Sequence, residues 1–145
     1  SGSDPILDPG TGDLPSDCHL HTHGGHTYVF CTTRLTWDNA KIACAAFGYT
    51  LITIDDSTED TWADTTMDAY VPSRQQSWTG YTDVAVEGVW VWDSGSTSTF
   101  TNWNTGQPSN SGGVEHCGSF NAYHPTVAWN DLPCYGTCSY ICESP

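Results

Sequence analysis

The chain has 145 residues, enough for one domain with a real core, and seven Trp, seven Tyr and four Phe to fill it. Three Lys and Arg stand against 17 Asp and Glu, a formal net charge of -14. A field of that sign repels phosphate, which disfavours nucleic acid and anionic membranes as partners and favours cations; no run of about 18 apolar residues is present, so membrane insertion is not expected either.

Residues 1–17 are rich in Pro, Gly and Asp without an apolar period, and read as a linker or tail ahead of a domain over 18–145. The opening Ser1-Gly2-Ser3 reads as a cloning scar, which leaves room for a natural export signal before it. The stretch Cys18–Cys31, CHLHTHGGHTYVFC, holds His19, His21, His23 and His26. His19, His21 and His23 alternate, so a strand puts them on one face. Two readings stand: a zinc or copper site, or a polar hairpin face with Gly24-Gly25 as its turn. HTYVFC itself is a strand by its β-branched and aromatic content.

A helix is expected next, with Thr36 as N-cap and Asp38 in the first turn, where a negative charge suits the helix dipole. Trp37, Ala40, Cys44 and Phe47 share one face of it, and Gly48 ends it. YTLITI at 49–54 predicts a short strand. Ser57 then predicts a cap for a second helix, with Asp60 at the capping-box position, Glu59, Ala63, Met67 and Tyr70 on one side, and Pro72 at its end. From Ser77 the aromatic-rich segments SWTGY, GVWVWD, EHCGSF, TVAWND and CSYICE predict strands. Between WVWD and EHC lies the long polar stretch SGSTSTFTNWNTGQPSNSGGV; long loops inside compact domains are often functional, and a bound ion would order this one.

The seven cysteines (18, 31, 44, 117, 134, 138, 142) include no CxxC pair, and the four-residue spacing of the last three is not a zinc-ribbon pattern. Disulfides formed in an oxidising, secreted or extracellular setting explain them better, and the odd count leaves at least one cysteine free or paired to another chain.

LTWDNAKIACAAFGYTLITI, Glu59-Asp60, WTGY, EGVWVW, FTNW, GQPSN, EHC, WNDLPC and YICE occur in the order found in one family. Over about residues 26–143 the chain resembles a C-type lectin-like domain. The resemblance implies an α+β fold of two helices with small antiparallel sheets, a long calcium-binding loop region and disulfide staples. It pairs Cys44 with Cys142 and Cys117 with Cys134. The family's long form adds an N-terminal hairpin disulfide, which points to Cys18–Cys31. Because the first and last strands pair antiparallel in that fold, Cys31–Cys138 stands as a rival.

In sugar-binding members of the family a Gln-Pro-Asp or Glu-Pro-Asn motif, a later glutamate and the Asn-Asp of Trp-Asn-Asp hold one calcium ion. Carried over, these positions are Gln107, Ser109, Glu115, Asn130 and Asp131, with Pro108 cis. The chemistry agrees: calcium takes six to eight hard oxygen ligands, and amide oxygens, two carboxylates and carbonyls meet that demand. Open coordination positions then accept two neighbouring sugar hydroxyls, which the same amide and carboxylate groups hydrogen-bond. Binding of this kind breaks no bond, and no nucleophile motif such as GxSxG or HExxH is present, so an enzyme is not expected.

The resemblance links Gln107 to galactose-type sugars. Ser109 departs from the pattern with a short uncharged hydroxyl, which predicts a weaker site, in the ~10⁻⁴–10⁻³ M range of extracellular calcium modules. The family's second calcium site is not expected, because Asn110 and His116 stand where acidic residues are needed. Tyr123 and His124 are the candidates for an aromatic platform under the sugar, or else they only fill a loop. Single sugar sites bind weakly, so an oligomer would add avidity. The rival function is a domain of this fold that binds protein or another surface without sugar.

Overall fold

The computed structural model describes residues 14–145. Residues 1–13 of the expected tail lie outside the described residues. The tail's last residues belong to the domain instead: Leu14 packs on the core, Cys18 N donates to Pro15 O at 3.0 Å, and Thr32 N donates to Asp17 O at 2.9 Å.

β1 (Cys18–His23) and β2 (His26–Leu35) form an antiparallel hairpin. Its two turn residues, Gly24 and Gly25, have φ of 57° and 85°, the doubly left-handed turn whose twist matches that of the strands. α1 (Trp37–Ala46) begins at Thr36, whose hydroxyl accepts from Asn39 N, and buries Trp37, Ala40 and Cys44 as the spacing predicts. β3 is only Thr50–Leu51, shorter than the 49–54 run. Beyond it Ile52 bonds singly on each side, its N to Ile141 O and its O to Gly80 N, so the extended chain threads between two strands without a regular ladder.

α2 (Ser57–Asp68) is capped by Asp56, not Ser57: the Asp56 carboxylate accepts from Glu59 N at 2.8 Å. The residue that reaches back is Glu59, accepting from Asp55 N at 2.8 Å. That frees Asp60 to turn into the interior.

β4 (Ser77–Thr82), β5 (Val91–Trp92), β6 (Glu115–Phe120), β7 (Asn130–Pro133) and β8 (Cys138–Glu143) follow, with one 3₁₀ turn at Ser111–Gly113. The expected strand TVAWND starts late, because Trp129 bonds through its N and O to Asn102 O and Asn104 N of the long loop before β7 begins. The strands join in one hydrogen-bonded system, in the order β1-β2-β8-β4-β6-β7, rather than in separate small sheets. β3 adds to β8 and β5 to β4; β4 and β8 run parallel and the other pairs antiparallel. The glycine of WTGY has a steric reason: a Cβ on Gly80 would lie 3.0 Å from Leu51 O.

Pleating divides the core in two. From β2 and β8, Val29, Cys31, Tyr140 and Cys142 face α1, joined by Trp37, Leu51 and Trp78. Their neighbours Phe30 and Ile141 face α2, joined by Met67, Trp92, Phe120 and Trp129. The disulfides are Cys44–Cys142, Cys117–Cys134 and Cys18–Cys31. The rival Cys31–Cys138 bond does not form, since the β2–β8 register sets Cys31 opposite Tyr140 and Cys138 opposite Leu35. Cys138 is the free thiol among the described residues, and burial pushes its pKa up to about 12.

Candidate functional site

The long loop between β5 and β6 rests on rings. Trp103 lies 4.8 Å from Trp90 and 5.8 Å from Trp129 between centroids, and Phe100 also lies 5.8 Å from Trp129, all edge-on. Asp60 of α2 ties this floor down. Its carboxylate accepts from Trp129 Nε1 at 3.0 Å and Asn102 Nδ2 at 2.8 Å, and Asn102 Nδ2 also donates to Val127 O. Burial raises the Asp60 pKa, and the two hydrogen bonds oppose that rise. Sequence reasoning placed Asp60 at a helix cap and missed this role; the signal was an acidic pair in a helix that needs only one of the two at its cap.

Above the floor the peptide Gln107–Pro108 is cis. Ser109 N donates both to Gln107 Oε1 and to Asp131 Oδ1 at 3.0 Å. Asn110, at φ 46°, turns the chain so that its N donates to Asp131 Oδ2 at 2.7 Å. Glu115 Oε1 accepts from Ser109 Oγ at 3.1 Å and Ser111 N at 2.9 Å. Tyr123 Oη accepts from Gln107 Nε2 at 3.1 Å and donates to Asn130 Oδ1 at 3.4 Å. Gln107, Ser109, Glu115, Asn130 and Asp131 thus meet in one network, fed by three separate chain segments. Asp131 is 0 % exposed at its base, whereas Ser109 and Gln107 lie at its open rim.

Support comes from behind: Gln76 Oε1 accepts from Asn130 Nδ2 at 3.1 Å and from Ser119 Oγ at 2.6 Å. Gln76 was not foreseen, and no pattern around it marks it. Tyr123 enters the site through its hydroxyl, holding two amides. His124 does not join: its Nδ1 lies 3.1 Å from Asp68 Oδ2 at the end of α2.

The donor set fits a hard divalent cation. Every donor is oxygen, two carboxylates match the charge, and the N–H groups that bond Glu115 and Asp131 leave further lone pairs on those oxygens. Where no second calcium site was expected, His116 Nδ1 sits 3.1 Å from both Asp83 Oδ1 and Glu87 Oε1, while Asn110 Oδ1 accepts from Glu115 N at 3.2 Å.

The histidine hairpin serves packing. His19 stacks on Tyr70 with centroids 3.8 Å apart, His23 stacks on Trp62 at 4.4 Å, and His21 Nε2 bonds Tyr70 Oη at 2.6 Å. Burial, then the neighbouring His19, lowers the His21 pKa. Among the described residues the groupings of three metal-ligating side chains lie elsewhere. His26 Nδ1 is 2.6 Å from Glu143 Oε2, and Glu143 Oε1 accepts from Thr53 N at 2.9 Å. Burial, reinforced by the Glu59 charge, pushes the Glu143 pKa up to about 7 against these bonds.

Against known proteins, the family model described as "Lectin C-type domain" matches residues 33–144. The chain is 35% identical over 140 residues to mouse "C-type lectin domain family 4 member E", covering 93% of this chain and 64% of that protein's length. The solved C-type lectin CEL-I from Cucumaria echinata superposes with a TM-score of 0.81 at 28% identity, covering 90% of this chain and 96% of its own. The herring type II antifreeze protein superposes with a TM-score of 0.76 at 27% identity, covering 91% and 98%.

Proposed function

The chain belongs to the C-type lectin domain family, and from that premise we propose that it binds carbohydrate in a calcium-dependent manner, with galactose-type sugars as the ligand class. The observation that carries the reading is the convergence of Gln107, Ser109, Glu115, Asn130 and Asp131 on one open-rimmed network. Calcium bound there would supply open coordination positions for two neighbouring hydroxyls. The chain's own part is to hold the oxygens in place. Asp131 is fixed by two backbone N–H groups, and Gln107 and Asn130 are bridged by Tyr123 and offer amides to the same hydroxyls. Three disulfides suit a protein that works outside the reducing cytosol. Several copies of one weak site would give avidity.

The test is retention on immobilised galactose in calcium buffer, with a mannose column beside it. Retention on galactose alone, released by chelator, supports the reading; binding indifferent to chelator overturns it. A second reading, recognition of a surface other than sugar, is favoured by Ser109, whose hydroxyl bonds Glu115 rather than presenting a carboxylate, and by the fold shared with an antifreeze protein. A glycan array blank both with calcium and with chelator would select it.

A further inference from the structure

Three side chains separate from the loop network cluster against α2. Asp64 and Asp68 stand one helical turn apart, and His124 from the β6–β7 loop closes over them. One ligating atom from each lies within 4.8 Å of the others. Asp64 is 3 % exposed, and its Oδ1 is buried with no hydrogen-bond partner; Asp68 Oδ1 and His124 Nδ1 are likewise buried without one, although His124 Nδ1 approaches Asp68 Oδ2 to 3.1 Å. A buried carboxylate oxygen with no donor is costly to keep, by about 1–3 kcal/mol or more for a charged group. Asp60, one turn earlier on the same helix, adds negative charge, and His124 is the neighbour that opposes it.

We propose that Asp64, Asp68 and His124 form a binding site for a divalent transition-metal cation of the zinc class, separate from the Gln107–Asp131 site. The donor chemistry sets the class. An imidazole nitrogen with two carboxylates suits zinc, which accepts nitrogen and oxygen together, and suits calcium poorly. Zinc bonds of 2.0–2.1 Å place tetrahedral donors about 3.3 Å apart, within reach of small side-chain rotations from the present spacing. Three protein ligands leave the fourth position to solvent, and the partly exposed His124 and Asp68 give the ion its entry. Burial and the Asp68 and Asp60 charges push the Asp64 pKa up to about 6, as expected of a carboxylate set deep beside acidic neighbours and short of a cation. The bound ion would pin the loop that carries Tyr123 to α2.

The test is calorimetric titration of zinc chloride into the whole chain with calcium in excess, on the native protein and on Asp64→Asn, His124→Gln, His116→Gln and a His19/His21/His23→Gln triple variant. One zinc site weakened at least tenfold by Asp64→Asn and by His124→Gln, and kept by the other two variants, supports the proposal. No zinc uptake by the native protein overturns it, as does a site lost only in His116→Gln or only in the triple variant. Should Asp64→Asn not fold, His124→Gln decides, because that side chain is on a surface loop. Cobalt in place of zinc gives a second readout: visible absorption bands of a low-coordinate ion, absent in His124→Gln.

Discussion

The hairpin and the long loop are both crowded with ligating side chains, and they use them in opposite ways. In the hairpin, His19 and His23 lie flat on Tyr70 and Trp62, and His21 spends a ring nitrogen on a phenol. Their chemistry is absorbed by contact with Trp62 of α2 and with Tyr70 just beyond its end. In and around the loop, glutamine, serine, glutamate, asparagine and aspartate turn their oxygens towards one another, although Asn130 and Asp131 come from β7, well downstream of the other three. Density of ligands along a chain therefore says little; what matters is whether the neighbours are rings that cover the donors or backbone N–H groups that aim them.

Breaking the loop should have the largest effect. Asp131→Ala removes a fully buried carboxylate and strands two backbone donors, and calcium affinity by calorimetry is expected to fall more than about 100-fold, or ~2.7 kcal/mol. Unchanged affinity would move the ion elsewhere. Breaking the hairpin comes next. Trp62→Ala deletes the ring that His23 stacks on and that Tyr28 and Phe30 meet edge-on, and urea unfolding should show a loss of about 2–3 kcal/mol with galactose retention unchanged. A parallel loss of retention would erase the distinction between the two regions.

A titration sharpens the contrast further. Glu143, beneath His26 at the end of the hairpin, keeps its proton in the folded protein up to about pH 7, against a usual 4.5. The folded state thus binds more protons between those values, so stability in chelator should fall as pH rises through that window, and be highest at its acid end. Glu143→Gln should flatten this slope, on the order of 1–2 kcal/mol, in melts from pH 4.5 to 8. The smallest expected change is a gain. Ser109→Asp restores a carboxylate at the loop rim and should tighten calcium about tenfold, ~1.4 kcal/mol; no gain would mean that Ser109 does not face the ion.

The cystine pairing came through resemblance, whereas both helices and the outer strands could be read from the sequence because they rest on local signals. Examples are the Thr36 cap, the Trp37-Ala40-Cys44 stripe and the Gly24-Gly25 turn. The five loop residues were legible only through resemblance, since they converge through space and share no period. What stayed hidden depended on three-dimensional competition. Asp56 outcompeted Ser57 for the cap, Asp60 was drawn inwards by an indole 69 residues away, and Trp129 paired with the loop before its own strand. Gln76 and the approach of His124 to α2 leave no mark in the chain at all.

Cys138 gives the molecule a clock. Six of the seven cysteines are locked in pairs, and the remaining sulfur sits on a strand buried along its whole length. A thiol reagent in water can reach it only during the moments when β8 parts from its neighbours. The rate of labelling at a single chemically unique atom therefore counts those openings, and any ligand that holds the core closed should be visible as a slower count.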